Sequence, residues 1–168
     1  MKMKKLKITK MEMIWYILIM AIVLIGDQVT KVLVAKNLQI HTSQTIINGL
    51  LYFLYLENKG AAWGILEGKI FFFLLVALVA AIAMIVYFIK VSSEEIVTRY
   101  GLVLVFSGMI GNAIDRLFLG YVRDFIGVII FNYHFPIFNI ADMAVVIGVG
   151  LIILESIIGE YYGKYKKI

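Results

Sequence analysis

Residues 70–89 read IFFFLLVALVAAIAMIVYFI, an unbroken apolar run without a charge. At about 1.5 Å of rise per residue the run reaches about 30 Å as a helix, the thickness of a bilayer's hydrocarbon core. No water is present at that depth to satisfy a bare backbone N–H or C=O, so a lone segment of this kind closes its hydrogen bonds internally, as a helix. Composition extends the reading to the whole chain: 62% of its 168 residues are hydrophobic and the mean hydropathy is +0.96, whereas a soluble domain is roughly half apolar. The chain reads as an integral membrane protein.

Three more apolar stretches flank this run, and each meets polar residues near one end. The first is apolar through Ile25 and then reaches Asp27, Gln28 and Lys31; the third continues to Asn112, Asp115 and Arg116; the fourth opens, just after the chain's sole proline, Pro136, with Asn139 and Asp142. Spans are predicted at about 13–35, 69–89, 97–118 and 137–158, in one domain covering residues 1–168. The connection between the first two spans is too long for a plain turn. Its Asn48-Gly49 pair, flanked by apolar and aromatic residues, has the chemistry of a hairpin, so residues about 40–64 are predicted to form a small sheet. The expected fold class is an all-α membrane protein: four transmembrane helices with a small extracytoplasmic β-sheet between helices 1 and 2. Trp63, among Gly60, Ala61, Ala62 and Gly64, reads as an interfacial anchor.

Charge sets the topology. Lys2, Lys4, Lys5, Lys7, Lys10, Lys90, Arg99, Lys164, Lys166 and Lys167 fall on one side of the spans, while Lys31, Lys36, Lys59, Lys69, Arg116 and Arg123 fall in the longer opposite segments. The positive-inside bias then puts both termini in the cytoplasm. The net charge of +5 is a topology signal, and no nucleic-acid partner is expected: the lysines sit at helix ends beside Tyr161, Tyr162 and Tyr165, at the level of the lipid headgroups. The lysine-rich start is not expected to be a cleavable signal peptide, because no small-x-small site follows the apolar stretch. Without cysteine the chain has no disulfide, no thiol nucleophile and no site for its own lipidation. His41 and His134 lie outside any H-E-x-x-H helix, so no metal and no other cofactor is expected.

Depth brings the polar residues together. Counted along helices from the inner basic residues, Asp27 lies roughly 26 Å from Lys10, Asp115 roughly 24 Å from Arg99 and Asp142 roughly 33 Å from Lys164. All three reach the outer boundary. Asn58 and Asp124, in the two outer connections, belong near the same plane, with Asp124 expected in an irregular or re-entrant segment that Gly120 allows to turn. Asn112 and Arg116, four apart, share a helix face. Plainer readings apply to several neighbours: Lys31 as a helix-end partner of Asp27, Arg123 as a solvated rim charge, Ser107 and Gly111 as small residues that let helices pack.

An acid at membrane depth is costly and needs a partner. For Asp142 a second acid would serve: of two carboxylates about 3 Å apart one keeps its proton at neutral pH, while the other activates a water as general base. That is the chemistry of an aspartic peptidase. Spacing alone leaves Asp115 and Asp124 equal as the second acid. Two other classes use similar groups. A proton-coupled carrier needs acids spread through the bilayer, yet only Glu155 lies deeper, roughly 20 Å below Asp142. A non-catalytic binder of lipidated chains would tolerate Asp124→Asn.

Five blocks, in order, carry a resemblance: Asp27-Gln28-Val29-Thr30-Lys31, Asn58-Lys59-Gly60-Ala61-Ala62-Trp63-Gly64, Gly111-Asn112-Ala113-Ile114-Asp115-Arg116, Val122-Arg123-Asp124-Phe125 and Phe138-Asn139-Ile140-Ala141-Asp142. Together they resemble the signature blocks of bacterial lipoprotein signal peptidase, signal peptidase II. The resemblance implies a monomeric aspartic endopeptidase of the bacterial cytoplasmic membrane that cuts prolipoproteins just before a diacylglyceryl-modified cysteine. It implies Asp124 and Asp142 as the catalytic pair, and Asp27, Asn58, Asn112, Arg116 and Asn139 as residues that shape the site and hold substrate. Its partners would be that substrate and membrane lipids. Trp63 and Met143 depart from the pattern, where Phe and a small polar residue are common.

Overall fold

The computed structural model describes residues 8–60, 66–92 and 94–161. Trp63 with Ala61, Ala62 and Gly64, together with Lys2, Lys4, Lys5, Lys7, Tyr162, Tyr165, Lys164, Lys166 and Lys167, lie outside the described residues. Four long helices, α1 (Lys10–Asn37), α2 (Ile70–Lys90), α3 (Ile96–Leu119) and α4 (Ile140–Tyr161), are each long and apolar enough to cross a membrane. Most of their surface is apolar and open: α2 buries no residue at all, and Phe71 and Val146 are 80% and 71% exposed. Such faces are stable only against lipid.

Helix ends follow local chemistry. Thr9 caps α1 in a reciprocal box with Glu12, the Glu12 N–H reaching Thr9 Oγ1 at 3.1 Å and the Thr9 N–H reaching Glu12 Oε2 at 2.7 Å. Gly120 ends α3 at φ 82°, a left-handed conformation that costs glycine least. Glu155 of α4 accepts the Thr98 backbone N–H in the first turn of α3.

The tightest helix pair is α3 with α4. A Cβ on Gly108 would lie 2.2 Å from the Ala141 carbonyl oxygen, and Gly101 and Gly148 face each other at similar range. Without side chains at these points the two backbones approach closely, the usual route to helix association in lipid. The approach fixes the start of α4 against the middle of α3.

At one end of the bundle sits a four-stranded antiparallel sheet of order β1-β2-β3-β4: β1 (Ser43–Ile47), β2 (Leu51–Asn58), β3 (Val122–Ile130) and β4 (Tyr133–His134). The β1–β2 hairpin lies between α1 and α2 and turns at Asn48-Gly49 with Gly49 at φ 70°. The segment carrying Asp124 corrects the reading as irregular or re-entrant. It is strand β3, pairing Leu56 with Asp124 and Asn58 with Val122. Its Val-, Ile- and Phe-rich sequence suits a strand covered on both faces, and Val122 to Phe125 are all buried. Phe138 then bridges back to Ile126 before α4 begins.

Candidate active site

Asn139 and Asp142 meet first through the backbone. Asn139 caps α4: its Oδ1 accepts the Asp142 N–H at 2.9 Å, and Asp142 Oδ2 accepts the Asn139 N–H at 3.1 Å. This reciprocal box satisfies two backbone donors of the kind that helix starts leave bare. A third, the Ala141 N–H, goes to Asp27 Oδ1 of α1 at 2.9 Å. Local helix chemistry therefore holds the Asp142 carboxylate at the positive end of the helix dipole.

The Asn139 side chain, fully buried, has an amide nitrogen left over. It donates to Asp124 Oδ1 at 2.6 Å and to Asn112 Oδ1 at 3.1 Å. Asn112 Nδ2 in turn donates to Asp142 Oδ1 at 2.7 Å, and Asn58 Nδ2 donates to Asp124 Oδ2 at 2.8 Å. Asn139 thus bridges the two acids, its side-chain amide donating to Asp124 and its backbone N–H to Asp142, and each acid has a second amide, from Asn58 or Asn112, on its other oxygen. Burial, with the Asp142 charge adding to it, pushes the Asp124 carboxyl up from 3.8 to about 7, against the opposing hydrogen bonds from Asn58 and Asn139.

That shift has a measurable sign. The folded protein keeps the Asp124 proton up to about 7, while the unfolded chain releases it near 3.8. The folded state binds more protons between those values, so this contribution to stability is fully present below the lower one and is lost as pH rises through the upper one. Asp124→Asn stays neutral and is expected to flatten this part of the profile. Thermal midpoints of both proteins at about pH 5 and about pH 8 check it, and equal losses in the two would contradict it.

Arg116 reaches the site from α3. Its Nη2 donates to the Gly60 carbonyl at 3.0 Å, its guanidinium lies 4.7 Å from the Phe73 ring centroid, and the Gly60 N–H reaches Asn58 Oδ1 at 2.9 Å. Gly60 is thus held on both sides, by the residue that touches Asp124 and by a cation on the neighbouring helix.

Asp115 belongs to a separate cluster. Its Oδ2 accepts the Arg123 backbone N–H and Nε at 3.0 and 3.1 Å, and its Oδ1 accepts Arg123 Nη2 at 2.7 Å. These bonds leave Asp124, and not Asp115, beside Asp142. They also correct the reading of Arg123 as a solvated rim charge: it is 9% exposed and locked to Asp115 and to Gln28 Oε1. Lys31 is likewise more than a helix-end partner, contacting Asp27 Oδ2 at 2.8 Å, Asp115 Oδ2 at 3.5 Å and Asn112 Oδ1 at 3.0 Å with no exposed surface. Gln28 joins the cluster through Asp27, Gly111 and Asp115. The sequence signal for these residues was depth: Lys31 and Arg123 fall at the same level as the acids.

All seven predicted site residues therefore converge. Asp124, Asp142, Asn139, Asn112 and Asn58 share one hydrogen-bond network, Arg116 joins through Gly60, and Asp27 joins through the Ala141 N–H and Lys31.

A sequence profile described as signal peptidase (SPase) II matches residues 19–158, from within α1 to near the end of α4. The chain belongs to the signal peptidase II family. It resembles the lipoprotein signal peptidase of Halalkalibacterium halodurans, 41% identical over 155 residues, which cover 92% of this chain and 99% of that protein. Two solved structures of bacterial membrane enzymes, obtained by the in meso method at 2.3 and 1.9 Å resolution, agree in fold. The first is 42% identical with a TM-score of 0.85, covering 92% of this chain and 94% of the other; the second is 44% identical with a TM-score of 0.77, covering 83% and 90%. As a signal peptidase II the chain is a peptidase, and its four spanning helices make it a multi-pass membrane protein.

Proposed function

We propose that the chain is an aspartic endopeptidase that removes the signal peptide from diacylglyceryl-modified prolipoproteins, cutting immediately before the lipidated cysteine, with Asp124 and Asp142 as its catalytic pair. The observation that carries this reading is the Asn139 bridge, which brings a buried carboxylate from a strand and a half-buried one from a helix into one network. The substrate class is that named for the H. halodurans relative.

The residues divide the work. Asp124, with a carboxyl pushed up to about 7, is the acid that holds a proton at neutral pH. Asp142, with an N–H on each oxygen, is the base. Asp142 takes a proton from water, whose oxygen attacks the peptide carbonyl carbon while Asp124 passes its proton to the carbonyl oxygen. In the tetrahedral intermediate the C–N bond breaks, the departing nitrogen takes the proton from Asp142, and a hydroxyl proton returns to Asp124 as the new carboxyl forms. Each proton passes through a carboxylate of the chain, so the scheme uses no metal or organic cofactor.

Asn58, Asn112 and Asn139 hold the two acids, and Asp27 holds the start of α4. Arg116 offers its remaining guanidinium donors to substrate backbone. The lysine-rich ends place both termini in the cytoplasm and the acids at the outer interface of the bacterial cytoplasmic membrane. A lipid-anchored cysteine holds its peptide bond at that height, while its acyl chains stay in lipid. A single chain carries every group the scheme needs, so the working unit is a monomer.

The test is incubation of purified protein with a diacylglyceryl-modified prolipoprotein, followed by mass measurement of the product. A new amino terminus at the modified cysteine is expected. Cleavage elsewhere, or equal cleavage of the unmodified precursor, would overturn the substrate assignment.

A further inference from the structure

We infer that Lys31 is a positioning residue for the reaction: its buried ammonium fixes which way the Asn112 carboxamide faces, and so directs the Asn112 nitrogen onto Asp142. The inference rests on the two-aspartate scheme above.

A carboxamide turned by 180° keeps its shape but exchanges donor for acceptor. In the observed orientation Asn112 Oδ1 accepts from Lys31 Nζ at 3.0 Å and from Asn139 Nδ2 at 3.1 Å, and Asn112 Nδ2 donates to Asp142 Oδ1 at 2.7 Å. The reversed orientation would set an NH2 against an ammonium and a second NH2, and an oxygen against a carboxylate. An ammonium has three donors and no acceptor, so it cannot adapt to a reversed partner. Asn139 is oriented in the same way by another pure donor, the Asp142 N–H at 2.9 Å on its Oδ1. Two groups that only donate, one a main-chain N–H and one Lys31, thus orient both amides, and both amides end on the acids.

Lys31 is itself held in place. Its other oxygens, Asp27 Oδ2 at 2.8 Å and Asp115 Oδ2 at 3.5 Å, belong to α1 and α3, and the side chain has no exposed surface. Two carboxylates, Asp27 and Asp115, are balanced here by two cations, Lys31 and Arg123. Loss of Lys31 would leave a net negative charge beside the pair in a low-dielectric site, and negative charge disfavours ionisation of neighbouring carboxyls. Lys31 has no exposed surface with which to touch substrate, so its loss is expected to fall on turnover far more than on substrate binding.

The experiment compares wild type, Lys31→Met, Asp27→Asn, the charge-balanced Asp27→Asn/Lys31→Met double variant and Asp142→Asn on a peptide carrying a diacylglyceryl-cysteine. Lys31→Met is expected to lower kcat by about 100-fold, with KM within about twofold of wild type. The acid limb of its pH–rate profile should move to higher pH. In the double variant the charge balance returns, so the melting temperature and the acid limb should recover, while kcat stays about 100-fold below that of Asp27→Asn alone. Wild-type kcat in Lys31→Met, or recovery of kcat to the Asp27→Asn level in the double variant, would make Lys31 a counter-ion only and overturn the inference. If Lys31→Met fails to fold, the double variant decides. Cleavage by Asp142→Asn at the wild-type rate would instead refute the two-aspartate scheme itself.

Discussion

Asp142→Asn is expected to leave the bundle folded and to lower the rate of signal-peptide cleavage by about ten-thousand-fold, the upper range for losing a general base. The substitution keeps the shape of the side chain. One oxygen remains to accept either Asn112 Nδ2 or the Asn139 N–H, and the other position becomes an NH2 facing a donor. That mismatch weakens the helix cap by about 1 kcal/mol, too little to unfold a bundle whose α3–α4 contact is unchanged. What disappears is the group that, in the proposed scheme, takes the proton from water. Cleavage assays on lipidated precursor, run beside a thermal melt, separate the two effects, and a folded variant with near-normal activity would end the two-aspartate account.

Asp115→Ala is expected to cost stability, by about 3–5 kcal/mol, as when one partner of a buried pair is removed. Asp115 accepts three bonds from Arg123, including that from its backbone N–H, and it faces Lys31 as well. Alanine leaves the Arg123 main-chain donor without its acceptor and the guanidinium with Gln28 Oε1 in place of a carboxylate, in a region where little water enters. Arg123 immediately precedes Asp124, so release of the start of β3 also loosens an acid of the proposed pair. Asp115→Asn, which keeps the volume and one acceptor, should lose less. Thermal denaturation in detergent checks the order, and an alanine variant within about 1 kcal/mol of wild type would show that the cluster is weakly coupled to folding.

Much of this arrangement was legible in the chain, and the limits have a physical pattern. The uncharged run at 70–89 announces a span because length and apolarity are local properties. Asn48-Gly49 announces a hairpin because turn chemistry is local too. The strand at Val122–Ile130 was not legible, since its ladder partner is distant: Asn58 and Asp124, bonded across it, are 66 residues apart. Separation also hid the Lys31–Asn112 and Arg123–Gln28 contacts, 81 and 95 residues apart, while the Arg123–Asp115 pair, eight apart, forms only because the chain turns back after α3. Each looks like a surface charge until the helix or strand bearing its oxygen partners is packed against it. Asp115 and Asp124 were equal by spacing, and the Arg123 contacts distinguish them.

The reciprocal box at the start of α4 links mechanics to chemistry. Asp142 is both the third residue of that helix and, in the proposed scheme, the group that gains a proton in each turnover. A neutral carboxyl is a poorer acceptor than a carboxylate, so the Asn139 N–H is held less firmly while the proton resides there. In that scheme the first turn of the last helix would slacken and tighten once per catalytic cycle, and a tightly bound inhibitor that keeps Asp142 anionic would freeze that pulse and make the turn more rigid than in the resting enzyme.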